Sequence, residues 1–184
     1  ASALGGFMTD KNLAVTDEFT SEFGRFFGIW QATELAIDCA VGKFLELPDD
    51  ETHLLTAGMD FNRKARLLTA LVKRSNDPQK STILASLKVI QNESLRNVFA
   101  HSFIDHSPTE VTFIQRNRHG NYDPIEYKFT LPSFRAHVEK ILDAAIAFHH
   151  AIGLTEERNQ EFASAALRVN IKSITSPVPP NNAA

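Results

Sequence analysis

Phe19, Phe23, Phe26, Trp30, Thr33, Ile37, Val41 and Phe44 recur at alternating steps of three and four, which is the period of one face of an α-helix. A face this rich in rings constrains the fold more than any other feature of the chain. Each large apolar side chain gains roughly 1.5–3 kcal/mol when it leaves water, so further helices must close over the row. Thr16 or Asp17 offers a cap, and Pro48-Asp49-Asp50 a stop. These limits give a spine from there to Leu47, about 45 Å long. Gly24, Gly28, Ala32, Ala36 and Ala40 form a second row at steps of four. Small side chains there admit another helix at close range, from the same chain or from a twin.

The rest of the chain supplies such helices. Asp50 to Ala57 is a short one, with Gly58 after it. Asp60 caps another, with Phe61, Ala65, Leu68 and Leu71 or Val72 inward and Arg63, Lys64, Arg66, Lys73 and Arg74 outward. Those five cations read as a solvated face or as a track for an RNA backbone. Ser75-Asn76-Asp77-Pro78 turns the chain, with Asp77 as cap and Pro78 at the first helical position. One helix is then expected from Asp77 to Ser102, with Ile83, Leu84, Leu87, Ile90 and Val98 on its core side. Phe99 and Phe103 fall on another side, which suggests a partner against that face and hence a dimer.

After Ser107-Pro108 the period changes to two. Val111 and Phe113 alternate with Thr112 and Ile114, and Tyr127 and Phe129 with Glu126 and Lys128, across a turn-rich stretch containing Gly120. This pattern predicts a β-hairpin over about 110–129, with Pro124 suited only to an edge or a strand start. Arg116, Arg118 and His119 stand at its tip beside Tyr122, as an RNA-backbone contact or as solubilising charge. Thr130 or Ser133 opens the next helix, which buries Phe134, Val138, Ile141, Leu142, Ala145, Phe148 and Ile152 and closes at Gly153. Thr155 begins a peripheral helix to about Val169, and Ser173 to Ala184, with three prolines, reads as a flexible tail.

The expected fold class is therefore mainly α: an up-and-down bundle of about five to six helices with one inserted hairpin. Its 184 residues fit one domain. We place it over 16–153, after a disordered or non-native start (1–15) and before a peripheral helix and tail (154–184). No apolar run is long enough to span a bilayer, and a lone Cys39 rules out an internal disulfide. Both fit a cytoplasmic setting. A net charge of −3 gives no general attraction to nucleic acid, so an RNA site would have to be local.

Glu93-Ser94-Leu95-Arg96-Asn97-Val98-Phe99-Ala100-His101-Ser102 holds the chain's tight grouping of acid, arginine, amide and histidine. On one continuous helix Glu93, Asn97 and His101 would form a polar stripe, each about 40° from the last, with Arg96 about 140° from His101. Arg96 and His101 would then share a pocket only if the arginine reached around, or if a second copy supplied the partner. Arg96-Asn97-Val98-Phe99-Ala100-His101 resembles the R-x4-H signature of HEPN domains, which are small helical bundles, and the resemblance covers about residues 16–152.

That resemblance implies a metal-independent endoribonuclease whose two motifs meet in a homodimer. His101 would act as acid or base, Arg96 would stabilise the transition state, Asn97 would position them and Glu93 would restrain the pair. The residue types suit the task. An imidazole exchanges protons near neutrality, and a guanidinium holds a phosphate through two parallel hydrogen bonds. Cleavage would leave a 2′,3′-cyclic phosphate and need no cofactor or metal. The alternative is a non-catalytic HEPN-like module that binds RNA or protein, or dimerises. There Arg96 pairs with Glu93, and His101 bonds a carbonyl at the helix end. The resemblance also suggests an antitoxin or another protein partner, in toxin–antitoxin or defence systems. Histidines 137, 149 and 150, or His101 with Asp105 and His106, lack the spacing of metal sites. No phosphate loop, dinucleotide turn or serine elbow is present.

Overall fold

The computed structural model describes residues 10–107, 109–115 and 124–166. The chain is mainly helical with a small three-stranded antiparallel sheet. α1 (Asp10–Leu45) is the spine, followed by α2 (Asp49–Thr56), α3 (Phe61–Arg74), α4 (Lys80–Glu93) and α5 (Arg96–His101). β1 (Phe103–His106), β2 (Glu110–Gln115) and β3 (Ile125–Thr130) come next, then α6 (Leu131–Ile152) and α7 (Glu156–Ala166). α1, α3, α4 and α6 pack as a ring, each touching the next, while α7 packs on α2 and α1. Among the described residues no helix is long and apolar enough to cross a membrane.

The aromatic row closes the ring as its period requires. Phe26, Ile37 and Val41 are fully buried, with Trp30, Thr33 and Phe19 nearly so. α1 is already helical at Asp10, upstream of the expected cap, because residues 10–16 contain neither glycine nor proline to stop it. It ends at Leu45, where Glu46 turns left-handed (φ 56°). The Leu47 N–H then donates to the Gly42 carbonyl at 3.0 Å, and that of Glu46 to Lys43 at 3.3 Å, the paired bonds of a Schellman ending. The row of small residues splits in two. Gly24, Gly28 and Ala32 are exposed, while Ala36 and Ala40 are buried.

Three local expectations need correction. Lys64 does not face out: it is 7% exposed, and its Nζ lies 2.8 Å from Asp38 Oδ2 and 3.4 Å from Glu34 Oε1. Two carboxylates one turn apart on α1 draw it inward, a link between helices that periodicity within α3 cannot show. Burial pushes the Asp38 carboxyl up despite its bond to Lys64. Asp77 does not cap α4, which begins at Lys80. Asp77 Oδ1 instead accepts from the Gln79 N–H at 2.7 Å, in a turn before the helix. Residues 103–106, assigned to the end of a helix and to its loop, form β1.

The hairpin is present as β2 and β3, with Val111 opposite Phe129 and Phe113 opposite Tyr127. β1 adds a third strand on the other side of β2, in the order β1-β2-β3. All four of its residues are exposed, so it has no alternation of inward and outward side chains to read. β3 runs directly into α6, whose cap is Thr130: its Oγ1 accepts from the Ser133 N–H at 3.3 Å. An aromatic cluster ties the sheet to the bundle. Phe19 stacks on Phe134 at 4.5 Å between ring centres, and Phe99 lies 4.7 Å from Phe113 and 5.4 Å from Phe134. Phe99 is thus buried within its own chain and needs no partner to cover it, whereas Phe103 on β1 is 51% exposed.

Candidate functional site

The helix expected from Asp77 to Ser102 breaks in the middle of the motif. Ser94 is the last residue with right-handed helical angles, and Leu95 turns left-handed (φ 53°, ψ 20°). α5 restarts at Arg96, with the Phe99 N–H bonded to the Leu95 carbonyl at 3.0 Å. A break frees backbone carbonyls that need donors. His137 of α6 supplies one: its Nε2 lies 3.2 Å from the Ser94 carbonyl, and since a carbonyl only accepts, Nε2 carries the proton. Burial lowers the His137 pKa, opposed by that hydrogen bond. The ring also stands edge-on to Phe99 at 5.5 Å.

The polar stripe at steps of four therefore does not exist as one helical face. Arg96, Asn97 and His101 nonetheless line a single cavity of about 1010 Å³ within one chain. Arg96 lies across Trp30, with Cζ 5.9 Å from the ring centre, a cation–π distance. Its Nη1 donates to Asn97 Oδ1 at 3.2 Å. Phe61 flanks the indole from α3 at 4.3 Å. Trp30 Nε1 and Arg96 Nε are both buried and lack hydrogen-bond partners among the described residues.

His101 is exposed, and its side chain makes no hydrogen bond to another described residue. Glu93 is not on the cavity wall: it ion-pairs with Lys140 of α6. The two contacts of the purely structural alternative, Arg96 with Glu93 and His101 with a helix-end carbonyl, are both absent among the described residues. No family model, curated protein or solved structure matches this chain.

Gln115 and Ile125, on either side of the hairpin tip, also line the cavity. Arg116, Arg118 and His119 lie outside the described residues. Among the described residues no three His, Cys, Asp or Glu side chains are grouped to hold a metal ion. The periodicity of α1 marks Trp30 as core and nothing more, so its second role beneath Arg96 is invisible in the sequence. Phe61, Asn62, Gln91, Asn92 and Gln115 complete the wall from α3, α4 and β2. They are far apart in the chain, and only the packed ring of helices brings them together.

Proposed function

We propose that the chain is an HEPN-like protein that cleaves RNA without a metal ion, by attack of a ribose 2′-hydroxyl on the adjacent phosphate. The observation that carries this reading is that Arg96 and His101 open onto one cavity while no carboxylate neutralises either among the described residues. Arg96 holds the non-bridging phosphate oxygens as charge builds on them. His101 takes the 2′-hydroxyl proton. The new bond from O2′ to phosphorus displaces O5′, leaving a 2′,3′-cyclic phosphate and a 5′-hydroxyl. The leaving oxygen takes its proton from water or from His101 of a second copy in a homodimer. Asn97 braces Arg96 through their hydrogen bond, while Glu93, held by Lys140, supports the helix before the break. An RNA substrate and a free Cys39 both suit the cytoplasm, and a toxin–antitoxin or defence role with a protein partner belongs to the same proposal.

The test is incubation of a mixed RNA pool in EDTA with the native chain, His101→Ala and Arg96→Ala, each checked for folding by thermal unfolding. The native chain is expected to leave cyclic-phosphate ends, and each substitution to lower the rate by about 10²–10⁴-fold. Intact RNA in all three samples, with binding that still depends on Arg96, would replace cleavage by the non-catalytic binding reading.

A further inference from the structure

The wall around Arg96 is unusual in its charge. Apart from Arg96 and His101 the only ionisable side chain on it among the described residues is Asp60, and Asp60 Oδ1 is engaged in capping α3 through the Arg63 N–H at 2.8 Å. A track for several phosphates needs a row of cations. The described residues of this cavity offer a place for one. Besides Ser94 and Asn97, the other polar side chains on it are amides: Asn62 from α3, Gln91 and Asn92 from α4, and Gln115 from β2. None of the four amide groups bonds to another described residue. Each presents a donor beside an acceptor, the pattern carried by the edge of a nucleobase. Phe61 adds a partly buried ring next to them, backed by Trp30 at 4.3 Å. At about 1010 Å³ the cavity is at the upper end of the range for small-ligand sites, with room for a base as well as a phosphate.

We infer that the amide side of the cavity is a nucleobase subsite, which stacks one unpaired base on Phe61 and reads its edge through Asn62 and Gln91, with adenine preferred. An amide pairs most naturally with the adjacent donor and acceptor of adenine, whereas guanine is met best by arginine, and here Arg96 serves the phosphate. The inference rests on the RNA reading of Arg96 and His101. It adds a selectivity which that reading does not require.

The closing experiment measures fluorescence anisotropy of labelled eight-nucleotide RNAs (all-adenine, all-uracil and abasic) with the uncleaving His101→Ala chain. The adenine strand is expected to bind about tenfold tighter than the abasic one and several-fold tighter than the uracil one. Asn62→Ala with Gln91→Ala should erase the preference for adenine over uracil, Phe61→Ala should erase the preference for a base over the abasic strand, and both should leave abasic affinity unchanged, while Arg96→Ala weakens all three strands alike. Should the double substitution unfold the chain, Asn62→Asp and Gln91→Glu, which keep shape and lose the donors, are expected to invert or erase the preference. Arg96-dependent binding that is equal for all three strands would overturn the base subsite and leave the proposed function standing. No binding of any strand would overturn both.

Discussion

Glu46 holds a left-handed conformation that costs a residue with a Cβ roughly 1 kcal/mol. Its side chain is exposed, so little packing would be lost on truncation. Glu46→Gly is expected to stabilise the chain by about 0.5–1 kcal/mol in urea unfolding. Gly153 shows the same ending with the usual residue: φ is 71°, and the Leu154 N–H reaches the His149 carbonyl at 3.0 Å. Gly153 could be read as a helix stop because glycine announces that conformation. Glu46 could not, since nothing in a glutamate does. Lys64 and Trp30 were obscured in a similar way. Lys64 was expected to face out and Trp30 to be core alone, because their partners, Asp38 and Arg96, come from elsewhere in the fold.

At the scale of elements, the helices were legible wherever an apolar face repeated over several turns, as in α1, α3 and α6. The break between α4 and α5 was not, because Ser94-Leu95 contains no glycine or proline and both residues are acceptable in a helix. The contact from His137 to the Ser94 carbonyl, made across to α6, helps hold the break open. This has a pH consequence. Burial depresses both His137 and His149 below the ordinary 6.5. A depressed imidazole stabilises the fold above 6.5, and that stability is lost as pH falls through the folded value. Lys140 adds to the effect at His137 while Glu93 opposes it, and His150 adds to it at His149. Asp38 works the other way, since its raised carboxyl favours the fold at more acid pH. The melting temperature should therefore drop between about pH 7.5 and pH 5.5. His137→Gln, which keeps a donor but cannot titrate, should make that drop shallower. An unchanged slope would exclude His137 as a contributor.

At the scale of the molecule, what unites the parts is close approach between elements distant in sequence. A Cβ added to Gly42 would collide with the Thr52 side chain, so α2 sits directly on the spine. Arg158 grips Asp49 with both terminal nitrogens, at 2.7 and 2.5 Å, and carries α7 onto the same end. Gly42→Ala must push these layers apart, at a cost of about 1–3 kcal/mol that thermal or chemical unfolding would reveal. The fold class was legible because the long helices and the β2–β3 hairpin declare their own periods. The site was not fully legible, because its walls come from six elements that meet only after packing.

Trp30 is the single tryptophan of the chain, and it lies beneath Arg96 in the candidate cavity. The molecule thus carries its own optical label at the place of greatest interest. Its ultraviolet emission reports the surroundings of that one indole, free of any background from a second. A base or phosphate entering the cavity would disturb the emission without dyes or tags, and an unfolding curve followed this way would track the site itself, to be compared with the loss of helix elsewhere.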